Sequence, residues 1–331
     1  MSELRARVIS QEKGLYRISS GTEVKTAVVS GKYRYEAITV SDYPAVGDYV
    51  TAEWPEGDGQ AIIHSLFPRK SCFIRKAAGS AKQEQVVAAN IDTVLICMSL
   101  NQNFNLRRME RYLSITYDSG AAPVVVLTKA DLCRDVDSKM AEVRAAAPGV
   151  DILAVSSLSG DFDAVMPYIL PGRTIAFLGS SGVGKSTLIN QLMGTDSLAT
   201  GQIGADDKGR HTTTHRELLR LSNGAFVIDT PGMRELGMWD SGEGIDTAFR
   251  DMEELACACK FSNCTHSSEP GCAIQQALAD GTLDAARWES FRKLKAENAA
   301  AAEKSRYLEA KREKFKEIAK INKAGKKNKR A

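Results

Sequence analysis

At 331 residues, 43% hydrophobic and 26% charged, the chain has an ordinary globular composition, which excludes disordered and fibrous classes and leaves room for two or three domains with cores of their own. The net charge of +3 conceals an asymmetry: from Arg287 onward there are 16 Lys/Arg against 6 Asp/Glu, a net of +10, which leaves −7 for the preceding residues. Such a tail seeks a polyanion, either nucleic acid or an acidic membrane surface, unless it is only a solvated charged helix.

Residues Met1 to Val8 place charges where a signal peptide needs its apolar stretch. No later apolar run approaches the roughly 20 residues of a membrane span, so a cytoplasmic protein without membrane association is expected. Residues 1–68 carry short alternating segments, Thr26 to Ser30 and Tyr35 to Val40 among them, separated by turn residues at Ser30-Gly31, Pro44 and Pro55 to Gly59. Strands this short and closely spaced predict a small barrel. Residues 69–90, basic and polar from Arg69 to Gln85, read as a linker or mobile loop.

From Ile91 the rhythm changes. Apolar strand candidates (Ile91 to Leu100, Pro123 to Leu127, Ile152 to Val155, Thr174 to Leu178, Phe226 to Ile228) alternate with helical stretches such as Leu106 to Tyr117. That pattern predicts a parallel sheet covered by helices over residues 91–237. Residues 238–331 carry a Cys/His cluster and then a long Ala/Lys/Glu/Arg helix from about Ala285, without interior Pro or Gly until Gly325.

Gly179-Ser180-Ser181-Gly182-Val183-Gly184-Lys185-Ser186 fits G-x-x-x-x-G-K-[ST] between an apolar strand and an expected helix, Ser186 to Leu192, which is the context that gives the motif meaning. Glycines let the backbone curl so that successive N–H groups face phosphates, Lys185 neutralises the β and γ oxygens, and Ser186, with Thr187 beside it, supplies a hydroxyl to Mg²⁺. Downstream, Asp229-Thr230-Pro231-Gly232 ends a strand with D-x-x-G, placing Asp229 toward Mg²⁺ and the Gly232 N–H toward the γ-phosphate. Between the two, Thr200 to His215 is polar and punctuated by glycine, as a loop ordered by γ-phosphate and Mg²⁺ must be. One of Thr212, Thr213 or Thr214 supplies the switch threonine, with Thr212 or Thr213 foremost.

The base is read earlier in the chain. Guanine presents two donors that one carboxylate accepts together, whereas adenine would leave that carboxylate unpaired. Thr128-Lys129-Ala130-Asp131 resembles N-K-x-D with Thr for Asn, and Ser156-Ser157-Leu158 resembles the loop whose backbone N–H groups meet the base oxygen. Both precede the phosphate loop, so the order is circularly permuted relative to ordinary GTPases. Such a chain reopens after the second switch, and Met233 to Gly237 is the expected route from nucleotide state to the C-terminal domain. Met233 stands where many GTPases have a water-orienting Gln. Either a partner completes the catalytic site or a switch residue substitutes, with His211 as the candidate.

Cys259-x4-Cys264-x-His266-x5-Cys272 offers three thiolates and an imidazole, enough for a closed tetrahedral Zn²⁺ site of structural type, with Cys257 as a rival ligand. The region is poor in apolar residues, so the ion is expected to fold it.

Taken together, these residues resemble the ribosome small subunit-dependent GTPase A family, also called RsgA or YjeQ. The resemblance covers nearly the whole chain through Val46-Gly47-Asp48, Pro68-Arg69-Lys70-Ser71, the permuted motif order, Gly209-Arg210-His211-Thr212-Thr213, and Cys259-Lys260-Phe261 through Glu269-Pro270-Gly271-Cys272. It implies an OB-fold, a permuted GTPase domain and a zinc-binding, mainly helical domain. It also implies a cytoplasmic protein, taken as a monomer, that binds GTP and GDP, engages the immature small ribosomal subunit and its rRNA, and leaves on subunit-stimulated hydrolysis. The competing reading from the residues is an RNA-binding zinc protein whose nucleotide site senses with little turnover. An ATPase or kinase is disfavoured by Asp131.

Overall fold

The structure, a computed structural model, describes residues 2–12, 14–76, 84–156, 162–194, 217–229, 242–303 and 307. The first five strands are β1 (Ser2–Glu12), β2 (Leu15–Ser19), β3 (Val24–Val29), β4 (Tyr49–Trp54) and β5 (Ala61–Leu66). β1 is long enough to pair with β2 over one part and β4 over another, so the order β1-β2-β3-β5-β4 returns to β1 and closes a five-stranded barrel. Alternation drives the closure, because inward residues such as Val8, Tyr16, Ile18, Val50 and Ile63 bury themselves in one core.

One strand candidate is overturned. Tyr35 to Val40 is not a strand: α1 (Gly31–Glu36) occupies its start and a single 3-10 turn, Val40–Asp42, its end. Ser30 accepts the Tyr33 N–H to start α1, and the Asp42 carboxylate accepts the N–H groups of Ile38 and Thr39. Local side-chain caps outcompete the weak alternation there. The stretch expected as a linker also differs. Its described parts form a hairpin, β6 (Cys72–Lys76) with β7 (Glu84–Ala89), that buries Phe73 and Val87 in the central core.

The central domain runs through β8 (Thr93–Ser99), α2 (Leu106–Ser119), β9 (Ala122–Thr128), α3 (Val136–Ala146), β10 (Asp151–Ala154), β11 (Thr174–Leu178), α4 (Lys185–Met193), β12 (Glu217–Arg220) and β13 (Phe226–Asp229). β10, β9, β8, β11 and β13 are parallel in that spatial order; the near-continuous apolar runs of β9, β8 and β11 are buried on both faces, while β10, at the edge, is half-buried. β12 adds antiparallel to β13 and touches β1 through Ser10 and Glu217, so the sheet continues into the barrel. Asn105 caps α2 at its start, and Gly120, in left-handed conformation, ends it.

Beyond residue 242 the described elements are all helical: α5 (Glu243–Ala248), α6 (Arg250–Cys257), α7 (Ala273–Asp280) and α8, residues 285–303. α5 lies on α2, where Asp118 accepts the Gly244 N–H at 2.7 Å. Ile245, Phe249, Ile274, Trp288 and Phe291 share one core with Leu113, Ile115 and the sheet. The basic continuation of α8 lies outside the described residues apart from residue 307. Among the described residues no helix is long and apolar enough to cross a membrane.

Candidate nucleotide and metal sites

β11 delivers residues 179–184 at the carboxyl end of the parallel strands, and α4 begins at Lys185. Gly182 and Gly184 adopt φ of 73° and 95°, the left-handed conformations that let the chain curl ahead of a helix N-terminus. Lys185 turns back on the loop, its Nζ donating to the carbonyl oxygens of Gly179 at 2.7 Å and Ser180 at 2.6 Å. Ser186 and Thr187 occupy the first turn of α4. Behind the loop, burial pushes the Cys97 thiol up to about 12 against the opposing Lys185 charge, making Cys97 a neutral wall and not a nucleophile.

The segment Thr128 to Asp131, expected to read the base, folds back onto this loop. Thr128, buried at the end of β9, donates its hydroxyl to the Val183 carbonyl at 2.5 Å, and Lys129 donates to the Gly182 carbonyl at 2.8 Å. Lys129 sits at φ 58°, in the left-handed region, which turns the chain so that Asp131 follows in an exposed 3-10 turn. Ser156 donates to the Asp131 carboxylate at 2.6 Å, joining the second base-side segment to the first. The function of Thr128 was the least legible part in the sequence: its hydroxyl ties strand end to phosphate loop, a bond that the loss of an Asn amide does not remove.

Asp229 ends β13 two strands from β8 and beside β11. Ser157, the segment Thr200 to His215 with His211, Thr212, Thr213 and Thr214, Gly232, and the route Met233 to Gly237 lie outside the described residues.

In the helical region, Cys259, Cys264, His266 and Cys272 present ligand atoms that all lie within 4.8 Å of one another, and Cys257, exposed, is outside this set. Cys259 Sγ is 3.9 Å from Cys272 Sγ and 3.4 Å from His266 Nδ1, and Cys272 Sγ is 3.5 Å from the same nitrogen. A tetrahedron with zinc-type bonds has edges of about 3.8 Å between sulfurs and about 3.6 Å from sulfur to nitrogen, so Cys259, His266 and Cys272 stand near those separations and, with Cys264 inside the 4.8 Å span, the set could hold a metal ion. Burial works against the Cys259 thiolate, yet the backbone N–H groups of Ala273 and Ile274 and the neighbouring thiols hold its pKa below the usual value. Glu269 braces the loop. Its carboxylate accepts from Thr265 and Ser267, bonds that lower its pKa to about 2. Gln275 Nε2 donates to the His266 carbonyl at 2.6 Å, and His266 stands edge-on to Trp288 with ring centroids 5.7 Å apart.

Barrel, permuted P-loop domain and a helical region whose Cys/His cluster could hold a metal define a permuted guanine-nucleotide protein. The RsgA GTPase family model matches residues 66–239. The chain is 47% identical to the "Small ribosomal subunit biogenesis GTPase RsgA 2" of Lactiplantibacillus plantarum, over 93% of this chain and 87% of that one. Its fold is similar to YjeQ from Thermotoga maritima, with TM-score 0.67 and 25% identity over 90% of this chain and 99% of that one. It is also similar to YloQ, described as a circularly permuted GTPase, with TM-score 0.65 and 24% identity over 90% and 96% of the two chains. The chain belongs to the RsgA GTPase family and is a GTPase.

Proposed function

We propose that the chain hydrolyses GTP to GDP and phosphate at the loop Gly179 to Ser186 and acts in the late maturation of the small ribosomal subunit, in the cytoplasm, as a monomer stimulated by that subunit. The observation that carries the nucleotide assignment is the pair of bonds from Thr128 and Lys129 to Val183 and Gly182, because they seat the carboxylate-bearing turn beside the phosphate loop. Asp131 accepts the two guanine donors, Ser156 and Ser157 line the base, and Lys185, held by the Gly179 and Ser180 carbonyls, reaches the β- and γ-phosphates. Ser186 and Asp229 hold Mg²⁺, and Gly232 with Thr212 or Thr213 meets the γ-phosphate. His211 orients the attacking water. Cys259, Cys264, His266 and Cys272 hold a structural Zn²⁺: three thiolates and an imidazole suit that ion and leave no open position for substrate.

The ribosomal assignment rests on relatives such as the L. plantarum small ribosomal subunit biogenesis GTPase and on charge. A net of +10 from Arg287 onward suits rRNA phosphates, and binding through it weakens steeply with salt. The deciding experiment measures GTP hydrolysis with and without purified small ribosomal subunits, using ATP as control and Asp131→Asn as a variant. Stimulation by subunits that Asp131→Asn abolishes together with GTP preference supports the proposal. GTP binding with no stimulated turnover returns the reading of an RNA-binding zinc protein that senses the nucleotide, and equal use of ATP overturns the base assignment.

A further inference from the structure

Three arginines stand on the first two turns of α2, and they do not do the same thing. Arg107 is paired with Glu110 and, at 2.9 Å, with Asp284, and Arg111 is paired with Glu297. Arg108 is aimed away from both pairs: its Nη1 donates to the Ser180 hydroxyl at 3.0 Å and to the Asn103 side-chain oxygen at 3.4 Å. Among the described residues no carboxylate neutralises it. Its backbone N–H is fixed by the Asn105 side chain at 2.9 Å, so the residue is held at both ends.

Ser180 is the second residue of the phosphate loop, and its carbonyl oxygen accepts from Lys185. Two cations therefore converge on one loop residue, Lys185 through the carbonyl and Arg108 through the hydroxyl. Since the lysine of such a loop serves the β- and γ-phosphates, Ser180 lies toward the γ end. That end is where GTP and GDP differ, by one phosphoryl group and its negative charge. An uncompensated guanidinium acts on that charge across several ångströms of partly buried, weakly screened space.

We propose that Arg108 is a specificity-determining residue of the phosphate site, a second cation held through Ser180 that makes the site favour GTP over GDP. The inference rests on the placement of nucleotide at Gly179 to Ser186 and goes beyond it. It gives the family's phosphate loop, in this chain, a charge supplied from α2 and not only from the loop itself.

The test uses the full chain with Mg²⁺ and compares dissociation constants for GDP and a non-hydrolysable GTP analogue in the wild type, Arg108→Ala, Arg108→Gln and Arg108→Lys. Loss of an aligned charge weakens the analogue about tenfold in the Ala and Gln variants and GDP by less than about threefold, while Lys, keeping the charge, retains most of the discrimination. The gap between variants narrows as salt is raised. Equal weakening of both nucleotides overturns the proposal, because it describes a strut that merely shapes the loop, and so does an unchanged ratio. Lys185→Ala is the control on the underlying site. If it binds both nucleotides as the wild type does, the nucleotide lies elsewhere; if it loses them while the Arg108 variants keep the wild-type ratio, only the role of Arg108 falls. Unfolding midpoints show that each variant is folded, and Gln, closest in shape, serves where Ala is not.

Discussion

The central domain meets its two neighbours through different physics. Toward the barrel the joint is smaller and more polar: among the described residues β1 pairs with β12 at Ser10 and Glu217, Arg17 approaches Glu217 at 3.4 Å, Val46 enters the central core with Ile9 packed against it, and a buried arginine crosses between the cores. That residue, Arg7, donates to the Gly47 carbonyl at 3.3 Å and the Thr174 hydroxyl at 2.5 Å while its guanidinium lies between the Tyr49 and Phe226 rings. Toward the C-terminal helices the joint is a shared apolar core, extended by the run Phe249, Phe291, Trp288 to His266 at the metal cluster. Each joint also needs a glycine, since a Cβ on Gly47 would strike the Ala89 carbonyl and one on Gly244 the Ser114 carbonyl. The C-terminal joint buries far more apolar side chains than the barrel joint, so the C-terminal helices should unfold with the central domain and the barrel should be separable from it.

Metal removal is the largest expected blow to that contrast. Structural zinc contributes apparent binding energies of about 10–16 kcal/mol in small domains, so stripping the ion proposed at Cys259, Cys264, His266 and Cys272, or Cys272→Ser, should melt the loop between α6 and α7 and destabilise the core that Cys272 and Ile274 enter. Single-tryptophan variants make the two joints visible separately, as Trp54 lies in the barrel core and Trp288 in the C-terminal core. A chelator should shift the Trp288 transition strongly and leave Trp54 near its original midpoint. Phe249→Ala comes next, with an expected loss of about 3–5 kcal/mol for truncating a fully buried aromatic. Denaturant unfolding checks it, and a loss below about 1 kcal/mol would mean that the two cores are not mechanically one.

Much of this arrangement is legible locally. β11 occupies the five residues that its apolar run indicates, and the chain order of Asp131 before Lys185 announces the permutation because each motif is short and contiguous. The metal set is legible too, since Cys259 to Cys272 spans fourteen residues and ligand chemistry restricts the choice. What the sequence conceals is long-range. Arg7 and Thr174 lie 167 residues apart, Arg108 and Ser180 lie 72 apart, and no periodicity marks either partner. The β6–β7 hairpin is hidden for another reason: Arg75 and Lys76 make a short strand look like a basic linker, while the burial that stabilises it comes from Phe73 and Val87 meeting a core built elsewhere. Tyr35 and Ile38 mislead in the opposite direction, being apolar residues that stay exposed.

Two smaller perturbations sharpen the contrast at the barrel side. Gly47→Ala adds a Cβ where φ is +93° and the Ala89 carbonyl blocks it, and about 1–3 kcal/mol of strain should appear in the Trp54 transition. Arg7→Met is subtler, because opposing effects nearly cancel. The substitution leaves the Thr174 hydroxyl without its arginine donor, a cost of about 1–3 kcal/mol, while the Gly47 carbonyl keeps the Asn90 amide at 3.2 Å. It also removes a buried cation whose Nη1 has no hydrogen-bond partner and whose charged form burial disfavours, lowering the Arg7 pKa. Met keeps the packing between the two rings. The net loss should therefore be about 1 kcal/mol, confined to the barrel midpoint, with the Trp288 transition unmoved. A loss several times larger, or one that shifts both tryptophans together, would show that the polar joint carries the barrel as firmly as the apolar core carries the C-terminal helices.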